Sequence, residues 1–411
     1  MIKNILSLYS AQISRLILPI LMLPIITSRL SEGNFGIYIY ALAFSSWISL
    51  IIEYGFNISS TRKISSLKDR NKRNISDVVV ATQSAKYIIS AVCVLFIPFC
   101  LNFVPIFKGQ TGWVVTSYLF GFLSGILPQY YFQAIENLKL FSLSELFASL
   151  LLLFFTYNFL NEDPVILMVI LITSRLFCVL VCTCSLIKTL GFDVVKIDFK
   201  KGWWYIKNAF SVFFFQFMVS LYTVFNIIFL GFFVSASQVA LYGAAERLIR
   251  AGLAFYGQAS NVIFPRVTSL KASADKKLEK TRFAVLLLFS VFGFVSVPIV
   301  WNVSPIVIPL VYSDKLDGAI ELINIMAWVI PAIAMSNVLS FQYFLVEGKE
   351  VVLNKVIVCA SAINLILSYS LITRFGAVGM VYSWVALEWL ITVTLFLLVF
   401  FKRSRFISIG R

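Results

Sequence analysis

The feature that most constrains this chain is a succession of apolar stretches of twenty or more residues. They run from SLYSAQISRLILPILMLPIITS near the start to VYSWVALEWLITVTLFLLVFF near the end. Each is long enough to cross a hydrocarbon core of ~30 Å as a helix. A soluble fold of 411 residues could not bury that many. The chain is 60% hydrophobic and only 13% charged, against about 25% charged in an ordinary soluble domain. A β-barrel would instead show alternating strands of ~10 residues, and no such alternation is present. The expected class is an all-α polytopic membrane protein.

Twelve spans are predicted, at 5–28, 35–60, 78–104, 112–134, 140–160, 164–189, 208–233, 238–264, 283–311, 318–346, 351–372 and 376–401. The first reads as a span rather than a cleaved signal, because it is long and has no small-residue cleavage site. Placing the N-terminus in the cytoplasm puts twenty-five of the 34 Lys and Arg on that side, chiefly in 62–73, 188–207, 266–282 and 402–411. Only Arg29, Lys108, Lys315 and Arg374 then fall outside. That bias predicts that both termini are cytoplasmic. The net charge of +15 is accounted for by topology and anionic lipid headgroups, so no nucleic-acid partner is expected.

Shifting the chain on itself by 204 residues brings out seven identities: Gln12/Gln216, Ser31/Ser235, Tyr38/Tyr242, Ala41/Ala245, Asn57/Asn261, Arg62/Arg266 and Ser65/Ser269. They fall in the short turn after one span, the start of the next helix and its exit. Six spans precede the 190–207 loop and six follow it. The reading is two six-helix lobes, 1–200 and 201–411, forming a parallel repeat with a pseudo-two-fold axis along the membrane normal and a cavity between them.

Several segments carry a family resemblance: the opening span with its two prolines, LSEGNFGIY (30–38), YGFNISSTRKIS (54–65), YFQAIENLK (131–139) and, most specifically, ALYGAAERLIRAG followed by IFPRVTS (240–269). Together these resemble the Wzx-type polysaccharide flippases, relatives of the MATE drug exporters and of the lipid II flippase. The resemblance covers nearly the whole chain. It implies a MATE-like fold in a bacterial inner membrane and a lipid-linked oligosaccharide on undecaprenyl pyrophosphate as substrate, for O-antigen or other surface polysaccharide synthesis. It further implies membrane lipids and, possible as partners, the polysaccharide polymerase and chain-length machinery.

Charges inside spans are the strongest pointers to function, since a charge at the bilayer centre costs at least ~2.5–3.5 kcal/mol on insertion scales. They are Arg15, Glu53, Lys86, Arg175, Glu246, Arg247, Arg250 and Glu388. Lys86 reads as a side chain that snorkels to its nearby interface. Glu246 and Arg250 are spaced i, i+4 and can pair on one helix face, which leaves Arg247 over. The guanidinium fork suits phosphate oxygens, so Arg15, Arg175, Arg247 and Arg250 are the expected pyrophosphate-binding residues. Gln12, Asn57, Gln216, Tyr242 and Asn261 are expected to face the sugars, with Tyr222 and Asn226 nearby. Glu53, Glu246 and Glu388 are the candidates for ion coupling. The prolines at 19 and 24, and at 298, 305 and 309, are expected to bend their spans.

Catalysis finds no support, as the chain has no His, no phosphate-cradling Gly loop and no acidic metal cluster. No cofactor or metal is expected, and the six Cys read as small packing residues. A polysaccharide polymerase or ligase would present a long outer loop. The remaining alternative is a MATE-type ion-coupled drug exporter, whose cavity should be acidic or apolar to suit cationic drugs.

Overall fold

The computed structural model describes residues 20–407 except 68, 70, 162, 163, 274–276 and 313. The described residues are helical, with no strand among them. Eight helices among them are long and apolar enough to cross a membrane. The helix carrying Glu246 and Arg250 is not among those eight. The chain is thus an all-α, multi-pass membrane protein. It forms two compact units: residues up to Ser220 together with Ile227–Ser237, and Leu221–Asn226 together with Gln238–Arg411.

The first unit runs through Ile20–Arg29 (α1), Glu32–Glu53 (α2), Phe56–Ser65 (α3), Lys72–Val94 (α4), Ile97–Phe103 (α5), Thr111–Ile126 (α6), Gln129–Ala134 (α7), Lys139–Phe159 (α8), Pro164–Leu190 (α9) and Phe199–Thr223 (α10), with Phe225–Leu230 (α11) returning to it. Its centre is α2 against α6. A Cβ on Gly121 would stand 2.6 Å from the Ser45 carbonyl oxygen, and one on Gly125 2.8 Å from Ile52. Two glycines four apart therefore let the backbones approach, the small-residue packing that lipid-embedded helices favour. Tyr54 and Gly55, at φ 50° and 74°, break α2 from α3. The Tyr54 ring is held there by stacking on Phe213 at 4.1 Å. This break separates Glu53 from Asn57 and lets both face the same space. Arg29, the last residue of α1, donates to the carbonyls of Tyr157 and Leu160, closing the C-terminus of α8 with a cation.

The second unit contains Ala236–Ala272 (α12), Lys277–Tyr312 (α13), Ala319–Met326 (α14), Val329–Val338 (α15), a π-helical turn at Leu339–Leu345 and Glu350–Ile407 (α16). The last of these breaks at Gly376, φ 57°, which divides it into the two spans expected at 351–372 and 376–401. Its core joins Leu286 and Phe289 of α13, Ala334 and Val338 of α15, and Leu387 and Ile391 of α16. At one end, Arg282 is buried and bonds Glu279 at 3.0 Å and Glu347 at 2.9 Å, with its guanidinium over the Tyr343 ring at 5.1 Å. The cation thereby ties the π-turn to α13. Burial pushes the Glu347 carboxyl up, but its bond to Arg282 and the charges of Arg282, Lys271 and Lys349 outweigh that and hold it below the usual range.

Candidate functional site

The first unit encloses a polar cavity of about 310 Å³ lined by Ser49, Glu53, Asn57, Ser124, Gln129, Glu145 and Arg175, among others. Arg175 of α9 reaches Glu145 of α8, Nη1 to Oε1 at 2.7 Å. The Cys178 thiol donates to the same oxygen at 3.4 Å, and the guanidinium lies over Phe120 at 5.3 Å. Arg175 keeps 23% of its side chain exposed while Glu145 is buried. Glu145 is a correction to the sequence reading, which counted only Glu53, Glu246 and Glu388 as intramembrane carboxylates.

Lys86 is a second correction. It does not snorkel. It is fully buried, with Nζ donating to the Leu127 carbonyl at 2.9 Å and lying 5.1 Å from the Tyr130 ring centroid. Pro128 stops α6, which leaves its last carbonyls without helical donors. Gln83 Nε2 takes the Ile126 carbonyl at 3.2 Å and Lys86 takes the next. A cation at a helix C-terminus is also favoured by the helix dipole. Glu53 lines the cavity and interacts electrostatically with Lys86.

The second unit builds its cluster around Arg250. Nε and Nη2 both bond Glu246 Oε1, at 2.9 and 2.6 Å, and Nη2 also bonds the Thr223 carbonyl at 2.5 Å. The guanidinium sits 5.0 Å from the Trp384 ring centroid, and Trp384 Nε1 donates to the buried Glu388 at 3.3 Å. Glu246 is buried, yet Arg250 leaves 40% of its side chain exposed. The i, i+4 pair expected from the sequence thus exists, with one face of its arginine open. Arg247 is half-buried on the same helix.

The other expected positions are scattered. Gln12 and Arg15 lie outside the described residues, as do the side chains of Tyr222 and Asn261. Asn57 lines the cavity of the first unit, and Gln216 is half-buried beside Gly55. Tyr242 is packed entirely inside the second unit. Asn226 is equally buried and accepts from Asn364 at 3.1 Å. Among the described residues no three His, Cys, Asp or Glu side chains converge as a metal site requires.

The structure is similar to the lipid II flippase MurJ in an inward closed conformation, with a TM-score of 0.72 at 14% identity over 95% of this chain and 86% of that one. It is also similar to an inward-facing multidrug resistance MATE family transporter of the MOP superfamily, with a TM-score of 0.68 at 12% identity over 98% of each. These likenesses define the class by fold: a helical membrane protein built as those flippases and exporters are. Two relatives share more sequence, each named "Putative O-antigen transporter". The one from Escherichia coli (strain K12) is 24% identical over 97% of this chain and 96% of its own. The one from Shigella dysenteriae is 26% identical over 95% and 98%. Residues 1–271 match the polysaccharide biosynthesis protein family, and the chain belongs to that family.

Proposed function

We propose that the protein moves a lipid-linked oligosaccharide across the bacterial inner membrane, with the pyrophosphate of an undecaprenyl carrier held by arginines while the sugars cross by alternating access. It acts as a transporter, not an enzyme. The observation that carries this reading is Arg250: a guanidinium anchored by the buried Glu246 and aimed by the Thr223 carbonyl, with 40% of its side chain open. An anchored fork with free donors is suited to phosphate oxygens. Arg175 repeats the pattern on Glu145 in the other unit, and Arg247 adds a further cation. Arg15 is proposed with them. Asn57 and Gln216 are proposed to meet sugar hydroxyls, together with Gln12, Asn261 and Tyr242, the last only after a rearrangement that exposes its hydroxyl.

The drug-exporter alternative rests on fold alone and suits an acidic or apolar cavity, whereas the buried carboxylates Glu145 and Glu246 are each bonded by a partly open arginine, Arg175 and Arg250. Glu53, Glu246 and Glu388 remain the candidates for ion coupling. Of these Glu53 is favoured, because Glu246 is engaged by Arg250 and Glu388 by Trp384. The polymerase and chain-length machinery are proposed as downstream partners.

The test is complementation of a strain that lacks its own flippase. Replacing Arg175, Arg247 and Arg250 together by Gln is expected to reduce surface polysaccharide about tenfold or more, given ~1.5–3 kcal/mol for a hydrogen bond to a charged group. Membrane abundance is checked by immunoblot. Normal export by an abundant triple variant overturns the reading.

A further inference from the structure

Away from these clusters, the first unit carries a groove of about 870 Å³ lined by the start of α4, the 191–198 loop and the start of α10. Its position is fixed by close packing. The Asp198 N–H donates to Ser84 Oγ at 2.9 Å, and a Cβ on Gly202 would meet the α4 backbone at 3.0 Å. Five cations line it, Lys72, Arg73, Lys196, Lys200 and Lys201, against three carboxylates. All three carboxylates are engaged. Asp77 bonds Lys201 at 2.8 Å, Asp193 bonds Lys196 at 2.6 Å, and Asp198 accepts from the Lys201 N–H at 3.0 Å. Lys72, Arg73 and Lys200 have no ion-pair partner among the described residues.

Two of these cations sit where the fold does not want them. Lys72 and Arg73 begin α4, and Lys200 is the second residue of α10. The helix dipole makes the first turn positive and favours acidic residues there. The first turn of α4 holds no acidic residue to offset Lys72 and Arg73, whereas α10 already has the Asp198 carboxylate at its start; the breach of local preference at α4 marks functional rather than structural placement. An anion in the groove would relieve it.

The groove continues into a second space of about 450 Å³, sharing Asp77, Lys200 and Lys201 but floored by Val78, Ala81, Trp204 and Tyr205. Around it, Phe192, Phe199, Trp203 and Trp204 are 79%, 69%, 54% and 57% exposed. Tryptophans and phenylalanines left open beside lysines are the pattern of a segment lying at the headgroup boundary. The path therefore runs from unpaired cations to an apolar, aromatic floor.

We propose that this path binds one anionic glycerophospholipid, its phosphodiester held by Lys72, Arg73 and Lys200 and its acyl chains lying over Val78, Ala81 and Trp204. The site is independent of the transport reading, since it touches none of the buried arginine–carboxylate pairs.

The test uses the purified full-length protein in detergent, with phosphatidylglycerol as probe and bound lipid followed by native mass spectrometry. The wild type should retain phosphatidylglycerol in preference to phosphatidylcholine. Replacing Lys72, Arg73 and Lys200 by Gln should weaken that binding about tenfold or more, each surface cation contributing roughly fivefold. A control triple with equal charge loss outside the groove, Lys63, Lys280 and Lys355 to Gln, should bind as the wild type does. The replaced side chains are exposed and unpaired, so both triples should fold, which circular dichroism checks. The proposal is overturned by equal losses in the two triples, by unchanged binding in the groove triple, or by equal retention of phosphatidylcholine. It is also overturned if inorganic phosphate displaces the lipid as readily from the wild type as unlabelled phosphatidylglycerol does, which would make the ligand a free anion.

Discussion

Replacing Lys86 with methionine is expected to destabilise the protein by about 3–5 kcal/mol, the range for breaking a buried charge interaction from one side. The methionine fills the space, but the Leu127 carbonyl loses its donor and Glu53 loses its electrostatic interaction with Lys86. Adding Glu53→Gln should recover about half of the loss, since the carboxylate is then no longer unpaired while the carbonyl remains so. Thermal unfolding in detergent measures both variants. A Lys86→Met protein as stable as the wild type would mean that the α6–α7 break needs no cation to close it.

Arg250→Met should be equally severe, because it leaves Glu246 buried and unpaired at about 3–5 kcal/mol. Pairing it with Glu246→Gln removes both charges, and replacing a whole buried pair with neutral side chains is often close to neutral. Stability of the double variant is therefore expected to return to within about 1 kcal/mol of the wild type. Export should not return. That separation is the useful result: a pair that only fastens helices would regain both together.

The sequence and the structure agree best where the signal is local. Apolar runs announce helices because a spanning segment must satisfy its backbone within itself, and Glu246 and Arg250 announce their pair because four residues make one helical turn. Glu145 and Lys86 were illegible for the opposite reason. Glu145 lies early in α8, where a carboxylate looks solvated, and its partner Arg175 is thirty positions away on α9. Lys86 has a role only because α6 stops before Pro128 and exposes the carbonyl of Leu127, forty-one residues along, beside it. Each depends on which helices become neighbours, and one sequence does not carry that. The Gly121 and Gly125 spacing was readable in principle, being the small-residue pattern of packed membrane helices. The break at Tyr54–Gly55 was not, because Tyr54 adopts its left-handed conformation through stacking on Phe213 of another helix.

The central claim is that guanidinium groups hold the pyrophosphate of the carrier lipid. It is tested most directly by the affinity of the purified protein, in liposomes, for a polyprenyl-pyrophosphate-linked oligosaccharide and for a neutral analogue lacking the pyrophosphate. The account predicts that the wild type binds the charged lipid about tenfold or more tightly than the analogue, and that Arg247→Lys, which keeps the charge and loses the fork, removes most of that preference. Equal affinity of the wild type for the two lipids would contradict it.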